Sequence, residues 1–181
     1  MLKGERVVLR PMVRTDCETR LKWWHDVELE LLGGGDPPMP RTLEGALKRF
    51  DADAEVEPPT SAYFMVDADA KTIGFIGIHH FNWTDRTCLL GIVIGDRKYW
   101  SRGYGRESIE LLLDYVFRIR NIRKVNLFTN SDNLRAIRCY SACGFVEEGR
   151  LRQQFWSDGK YVDQVHMGIL KEEWESRTKS G

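Results

Sequence analysis

The sequence has no excess of either charge, because its 27 Lys and Arg residues balance its 27 Asp and Glu residues. Nonspecific nucleic-acid binding needs a strong basic excess, so we expect no nucleic-acid partner. The chain also has no apolar run near the ~18–20 residues that cross a bilayer, and its start lacks the apolar stretch of a signal peptide. We therefore expect a cytoplasmic protein with no membrane partner.

Cysteine is scarce and its spacing favours no metal site. The four cysteines, Cys17, Cys88, Cys139 and Cys143, form no C-x-x-C pair and match no metal-ligand spacing. We therefore expect no bound metal, and we interpret the four as free thiols in a reducing compartment.

The composition is that of an ordinary globular protein. The chain has 181 residues, of which 42% are hydrophobic and 11% aromatic, and disordered chains lack such aromatic content. Because domains commonly have ~100–150 residues, we predict a single domain over residues 1–181.

The balanced total charge conceals a division between two segments. Residues 26–57 carry three bases against nine acids, whereas residues 96–138 carry ten bases against five acids. This division would suit an anionic ligand at one end and a cationic ligand at the other. Solvated helix faces would give the same pattern.

Hydrophobic periodicity and turn residues predict alternating strands and helices. The predicted strands are 6–10, 62–66, 73–81, 88–94 and 125–129, one from residue 145 onward, and one around 164–169. The predicted helices are 16–25, 43–50, 103–120 and 133–143, and residues 33–40 are a predicted loop rich in Gly and Pro. This order predicts the α/β class (α+β mixed), with a mixed sheet flanked by helices.

A glycine-containing turn after strand 88–94 carries the strongest chemical signal. Gly103 and Gly105 allow the backbone to approach a ligand closely. They lie at a helix start, where free N–H groups and the helix dipole attract anions, and Arg102 and Arg106 add positive charge. The turn therefore indicates a phosphate-bearing ligand, although a lone Gly-x-Gly is also compatible with a structural turn.

Two common phosphate-binding folds are excluded. A P-loop needs Gly-x4-Gly-Lys-Ser/Thr, which the sequence lacks. A dinucleotide-binding fold needs a third glycine, where Ser108 stands, and a short connection from strand to glycine. Here eight residues separate Ile94 from Gly103, and no acidic residue directly follows strand 125–129.

Two motifs, taken together, resemble a known enzyme family. Residues 100–105 (Trp-Ser-Arg-Gly-Tyr-Gly) resemble the Gln/Arg-x-x-Gly-x-Gly/Ala acetyl-CoA motif of the GNAT N-acetyltransferases. Residues 133–145 resemble the same superfamily's Asn-x-x-Ala-x3-Tyr-x3-Gly-Phe signature. Residues 9–11 and 161–170 are typical of its branch that contains ribosomal-protein N-terminal and spermidine N-acetyltransferases.

The resemblance implies a GNAT fold, a central mixed, mostly antiparallel twisted sheet flanked by helices, with acetyl-CoA as cosubstrate. The implied cofactor-binding residues lie on the strand (Ile92, Val93, Ile94), in the turn (Trp100, Ser101, Arg102, Gly103, Tyr104, Gly105, Arg106) and on the following helix (Asn133, Ala136, Arg138). Trp100 replaces the family's usual Gln or Arg, so a side-chain hydrogen bond to phosphate is lost there. For Arg138, a solvated helix position is the alternative.

Tyr140 is the implied catalytic residue. It matches the tyrosine that protonates the departing CoA thiolate in many relatives, and a phenol with a pKa of about 10 suits that role. Tyr140 follows Asn133 by seven residues, about two helical turns, so both side chains share one helix face. A tyrosine of the core is the alternative.

The general base and the acceptor are less well defined. Leu90 stands where many relatives carry a glutamate. The candidate bases and substrate contacts are Trp24, Glu28, His79 and His80, with Glu30 and Asp85 as further carboxylates and Trp23, Trp83 and Trp100 as further aromatic residues at the acceptor mouth. The acidic segment favours a cationic acceptor: a polyamine, an aminoglycoside-like amine or a protein N-terminus.

Two functions of different classes remain open at this point. The first is an acetyl-CoA-dependent N-acetyltransferase that acts on a small-molecule or peptide amine by direct attack in a ternary complex. The second is a CoA-binding sensor or interaction protein without turnover, which the missing strand glutamate suggests. We also expect a homodimer or higher homo-oligomer.

Overall fold

The computed structural model describes residues 1–33, 38–57 and 59–179 of the chain. The strands are β1 (Leu2–Lys3), β2 (Val8–Pro11), β3 (Ser61–Ala68), β4 (Lys71–Asn82), β5 (Thr87–Ile94), β6 (Lys124–Asn130), β7 (Val146–Ser157) and β8 (Lys160–Leu170). The helices are α1 (Cys17–Trp24), α2 (Val27–Gly33), α3 (Leu43–Ala54), α4 (Tyr104–Asp114), α5 (Leu134–Ala142) and α6 (Lys171–Lys179).

The eight strands form one sheet in the order β1-β2-β3-β4-β5-β6-β8-β7. Every neighbouring pair is antiparallel except β5 and β6, which are parallel. This arrangement confirms the predicted mixed, mostly antiparallel sheet flanked by helices. The predicted thiols are present as free cysteines.

Helix α4 supplies a large apolar face to the core. Ile109, Leu112 and Leu113 are fully buried, as their i, i+3, i+4 spacing requires of a helix that packs on a sheet. The helix continues into one π-helical turn, Tyr115–Ile119, in which Phe117 is also fully buried. The predicted helix 103–120 is therefore α-helical only as far as Asp114.

Strands β5 and β6 pair over three residues and then separate. Thr87, Cys88 and Leu89 pair with residues 124–126, and no pairing between the two strands continues beyond Leu89. On its other side β5 stays paired with β4 as far as Ile94. A wedge-shaped opening therefore lies between two strands of a single sheet.

Three elements were not predicted: β1, α2 and α6. The sequence of α6 is polar throughout apart from Trp174, so it has no hydrophobic period. Its position depends on contacts distant in sequence. Trp174 packs on Phe117 with 5.5 Å between ring centroids, and Arg177 donates a hydrogen bond to the Ala142 carbonyl (2.8 Å).

Other boundaries differ modestly from the prediction. Helix α3 continues to Ala54 rather than ending at residue 50. Pro11, predicted to stop the first strand, is its last residue and pairs with Phe64. In the predicted loop 33–40, Gly33 is the last residue of α2 and residues 34–37 lie outside the described part of the chain.

No helix in the described ranges combines the length and the apolar character that crossing a membrane requires.

Candidate active site

A large cavity occupies the opening between β5 and β6. Its volume is about 980 Å³, and its walls come from β5, the turn before α4, and helix α5 on one side, and from α1, α3 and β4 on the other. Leu90 to Ile94, the part of β5 that has left β6, all line it. One cavity thus contains both the glycine turn and the Tyr140 helix.

The backbone at the start of α4 is shaped to bind an anion. Gly103 is the N-cap residue with φ of +90°, and Ser101 has φ of +57°. The first intrahelical hydrogen bond runs from the Glu107 N–H to the Gly103 carbonyl (3.0 Å). The N–H groups of Tyr104, Gly105 and Arg106 consequently have no acceptor within the helix, and the positive end of the helix dipole lies with them.

Gly105 leaves room for a ligand beside these N–H groups. A Cβ atom built on Gly105 would lie 3.7 Å from Ile94 and 3.9 Å from the Cys139 sulfur, so it would project into the cavity without a clash. The glycine therefore keeps open the space between β5 and α5. This shape fits a diphosphate on the N–H groups and an extended chain along β5.

The side chains of the turn serve mainly to hold its shape. Trp100 donates its Nε1–H to the Ile94 carbonyl (2.6 Å), which ties the turn to the end of β5. Arg106 pairs with Glu110 on the exposed surface of α4. The Tyr104 ring is buried against Tyr99, and neither Tyr104 nor Arg102 lines the cavity.

Sequence reasoning did not identify Arg135 as a site residue. Its guanidinium lies 3.4 Å from the centroid of the Trp100 ring and lines the cavity. Burial lowers the pKa of Arg135, and the nearby charge of Arg97 lowers it further. Its place in the first turn of α5, two residues after Asn133, was the only signal in the sequence.

Asn133 is a structural anchor at the wall of the cavity. Its Oδ1 accepts a hydrogen bond from the Ala136 N–H (3.2 Å), which caps α5, and its Nδ2 donates to the Leu32 carbonyl (2.9 Å). Asn130 donates in the same way to the Leu31 carbonyl (2.9 Å), and its own Oδ1 is buried without a described partner. The two amides thus hold the end of α2 beside the cavity.

Tyr140 lines the cavity from α5 with 8% of its surface exposed. The Tyr140 hydroxyl forms no hydrogen bond with a described residue, and it is open to the cavity. Burial raises the pKa of Tyr140, and the neighbouring Cys139 and Cys143 raise it further. The phenol therefore stays protonated at neutral pH and has a proton to donate. Ala136 and the exposed Arg138 also line the cavity.

His79 and His80 differ sharply in position. His79 lines the cavity and stacks on Tyr63, with 6.5 Å between ring centroids. Burial lowers the pKa of His79, and the charge of His80 lowers it further, so its ring is neutral at pH 7. His80 is exposed, does not line the cavity, and has φ of +52°. The two Nδ1 atoms are 2.5 Å apart, so His79 has its Nε2 free for a ligand.

The other acceptor-side candidates also divide into residues that line the cavity and residues that do not. Trp24 lines the cavity. Glu28 does not, because its exposed carboxylate pairs with Arg97 (3.1 Å). Asp85 lies in the β4–β5 turn, hydrogen-bonded to Asn82.

The predicted aromatic mouth is not assembled as one cluster. Trp100 lines the cavity with Trp24, whereas Trp23 packs on Gly95 and Phe75. Trp83 stacks on Phe81, away from the cavity.

The acidic segment 26–57 also contributes less to the cavity than its composition suggests. Asp26 pairs with Arg97 and Asp51 with Arg14, both outside the cavity. Among the described residues of the segment, Asp53 is the one carboxylate on the cavity wall, which also carries Arg41 and Arg49. No group of three or more potential metal ligands occurs among the described residues.

A split sheet that opens beside free helix N–H groups defines a class of enzymes that hold a diphosphate ligand in extended form between two strands. Residues 6–146 match the family model of the acetyltransferase (GNAT) domain. The chain belongs to this family, and it is an acetyl-CoA-dependent N-acetyltransferase.

Several relatives give the comparison more detail. The chain is 32% identical over 117 residues to spermidine N(1)-acetyltransferase of Vibrio cholerae, which is 65% of this chain and 67% of that protein. A crystal structure of spermidine N-acetyltransferase from Vibrio cholerae with CoA and spermine is 25% identical, with a TM-score of 0.87 over 95% of this chain and 99% of that one. A dodecameric structure of the Vibrio cholerae enzyme is 24% identical, with a TM-score of 0.82 over 97% and 99% of the two chains.

Proposed function

We propose that this protein acetylates a small primary amine by direct attack in a ternary complex. The single observation that carries the proposal is the cavity at the β5–β6 opening, which joins the free N–H groups of α4 to the Tyr140 side chain. When bound, acetyl-CoA supplies an acetyl thioester. The amine nitrogen bonds to the acetyl carbon, and the carbon–sulfur bond breaks.

Under this proposal the N–H groups of Tyr104, Gly105 and Arg106 hold the diphosphate, and the open edge of Ile92–Ile94 holds the pantetheine arm. Gly105, Arg106 and Ile92–Ile94 line the cavity, and the space beside Gly105 supports both assignments. Trp100, Arg135 and Asn133 act as positioning residues, because each hydrogen bond or ring contact fixes the wall of the site. Arg138 lies at the exposed edge of the cavity, where it can meet the nucleotide end.

Two residues would carry out the proton transfers. The Tyr140 hydroxyl donates a proton to the leaving sulfur, and its raised pKa means that this proton is present at neutral pH when the thiolate forms. His79 accepts a proton from the acceptor ammonium, directly or through one water, because it is neutral and faces the cavity. A Cβ built on Gly91 would lie 3.6 Å from the His79 Nε2, so this nitrogen lies over the point where β5 leaves β6.

The relatives make a polyamine the first acceptor to test. Purified protein with acetyl-CoA is mixed with spermidine, spermine, an aminoglycoside and a basic peptide, and released thiol is measured. Turnover with at least one primary amine is expected. No thiol release across the panel, together with no affinity for acetyl-CoA, would contradict the proposal.

We further propose that the whole chain forms one GNAT domain in the cytoplasm. The family model ends at residue 146, but β8 lies between β6 and β7 in the same sheet and completes it.

The strand β7 supports a homo-oligomer. It is the edge strand of the sheet, and Val146, Leu151 and Trp156 on it are 56%, 46% and 51% exposed. Unpaired edge strands with apolar side chains favour association. Light scattering should give a mass of at least two 21.0 kDa chains, and a monomer at all concentrations would contradict this assignment.

A further inference from the structure

The acceptor side of the cavity contains an arginine with no carboxylate partner. Arg20, on α1, lies over the rings of Phe75 (4.4 Å), Trp24 (4.6 Å) and Tyr63 (5.2 Å). Its one described hydrogen bond runs from Nη1 to the Met12 sulfur (3.3 Å), and its Nε is buried without a partner. Burial lowers the pKa of Arg20, but an arginine keeps its charge at neutral pH.

Two further guanidinium groups face the same space. Arg41 lies over the Trp24 ring, which Arg20 also contacts, with 4.3 Å between the Arg41 Cζ and the ring centroid. Arg41 and Arg49 both line the cavity, and both act electrostatically on Arg20. Within the described ranges, none of the three forms an ion pair with a carboxylate.

Two described carboxylates, Asp53 and Glu30, lie near these three arginines. Asp53 lines the cavity from α3. Glu30, on α2, is close enough to Arg41 and Arg20 to interact with their charges, while burial raises the pKa of Glu30. The other basic residues of the cavity, Arg106, Arg135 and Arg138, come from α4 and α5 on the cofactor side.

A polycation is a poor match for this wall, because it would meet three like charges. An amine that also carries a carboxylate matches it better, since guanidinium groups bind carboxylates with charge-assisted hydrogen bonds. The reacting amine would lie beside His79 and the carboxylate beside Arg20, and the aromatic rings would contact the intervening carbon chain.

We propose that the acceptor pocket selects a primary amine that also bears a carboxylate, such as an amino acid or a short peptide, with Arg20 as the central anion contact. This proposal rests on the acetyltransferase function and specifies its acceptor. It differs from what the names of the relatives suggest, and it arises from residues of this chain alone.

Matched acceptor pairs test the proposal. Lysine is compared with cadaverine, its decarboxylated form, and a dipeptide is compared with its C-terminal amide, with spermidine as the polycation. We expect kcat/KM to be at least about tenfold higher for the carboxylate member of a pair. An equal or reversed preference, or spermidine as the best acceptor, overturns the proposal.

Variants connect the preference to the pocket. Arg20→Gln should reduce the carboxylate preference about tenfold or more, and the exposed Arg41→Gln, which carries little risk to folding, should reduce it as well. Arg118→Gln is the matched control, because its guanidinium pairs with Asp114 on the surface and lies outside the cavity. A preference unchanged by both pocket variants overturns the proposal.

Calorimetry separates this proposal from the proposed function. The acid and amide dipeptides are titrated into wild-type protein with CoA, which needs no turnover. Tighter binding of the acid supports the pocket assignment even where thiol release fails. Equal affinity, or no binding of either peptide, overturns it, whereas thiol release with other amines would still support the acetyltransferase function.

Discussion

Tyr140 combines the two properties that a general acid needs in this cavity: a retained proton and an unengaged hydroxyl. Burial raises the pKa of Tyr140, and its hydroxyl forms no hydrogen bond with a described residue. A phenylalanine at this position keeps the ring contact with Phe145 (6.1 Å between centroids). Removal of the hydroxyl is therefore a test of chemistry more than of folding.

Tyr140→Phe should lower kcat by about 100-fold, the usual contribution of a general acid, and leave acetyl-CoA affinity unchanged. Stopped-flow thiol release and calorimetry measure the two quantities. Tyr161→Phe, at a residue with 62% exposure outside the cavity, is the matched control. An unchanged kcat would remove Tyr140 from the mechanism, and a wild-type protein that binds CoA without turnover would instead be the sensor.

His79 is the residue for which pH is informative. Its pKa is below the ordinary 6.5 because of burial and the His80 charge, so the base is lost only as pH falls through that lowered value. With saturating amine, the midpoint of the fall in kcat should therefore lie below pH 6.5. His79→Gln should lower kcat and abolish this acid limb.

His80→Asn provides the control for this pH profile, because Asn tolerates positive φ. Removal of the His80 charge should move the acid limb upward, toward pH 6.5, with kcat at pH 8 unchanged. If kcat falls at the same pH in His79→Gln as in the wild type, another group is the base.

At the scale of elements, the start of α4 is the part that determines cofactor binding. The cavity on one side of Gly105 accepts a Cβ without a clash, so a larger side chain there should fill the ligand space and spare the fold. Tyr104 and Ser108, by contrast, lie buried in the core face of the same helix.

Gly105→Val should weaken acetyl-CoA binding by at least about tenfold and change the free energy of unfolding by less than about 1 kcal/mol. Calorimetry and urea denaturation provide the two measurements. Gly149→Val is the control, because a Cβ there meets nothing within 4 Å on the exposed strand β7. Undiminished affinity in Gly105→Val would place the diphosphate elsewhere.

Elements with a clear hydrophobic period were predictable from the sequence, and those held by distant contacts were not. The stripe of Ile109, Leu112 and Leu113 predicts α4 by itself. Helix α2 has seven residues, too few to be stable alone, and its end is fixed by Asn130 and Asn133, about a hundred residues away. No local pattern records such a contact.

The same reasoning explains which site residues the sequence indicated. Gly103, Gly105 and Tyr140 belong to local motifs, and the structure brings all three to one cavity. Arg20 and Arg135 became recognisable only through the rings they cover, which come from other elements. Pocket charge in particular could not be read from the composition of segment 26–57, because its acids mostly face outward.

At the scale of the whole molecule, Glu107 ties the N-terminal strands to α4. Its carboxylate accepts hydrogen bonds from the Arg6 N–H (2.8 Å), the Arg6 Nε (2.9 Å) and the Val7 N–H (3.2 Å). Burial acts to raise the pKa of Glu107, but these hydrogen bonds outweigh it and bring the pKa below the ordinary 4.5. The resulting stability is present above pH 4.5 and is lost as pH falls through the lowered value.

Glu107→Gln should therefore lower the free energy of unfolding at pH 7 by about 1–2 kcal/mol and flatten its decline between about pH 5 and pH 3. Urea denaturation at several pH values measures both effects. Glu5→Gln, at an exposed carboxylate, should leave the curve unchanged. A Glu107→Gln curve parallel to wild type would show that Glu107 does not contribute to acid stability.

The most direct test of the whole account is a crystal structure of the protein with acetyl-CoA. The account predicts the diphosphate on the N–H groups of Tyr104, Gly105 and Arg106, the pantetheine along Ile92–Ile94, and the sulfur within hydrogen-bond reach of the Tyr140 hydroxyl. A diphosphate bound away from α4, or a sulfur facing away from Tyr140, would contradict it.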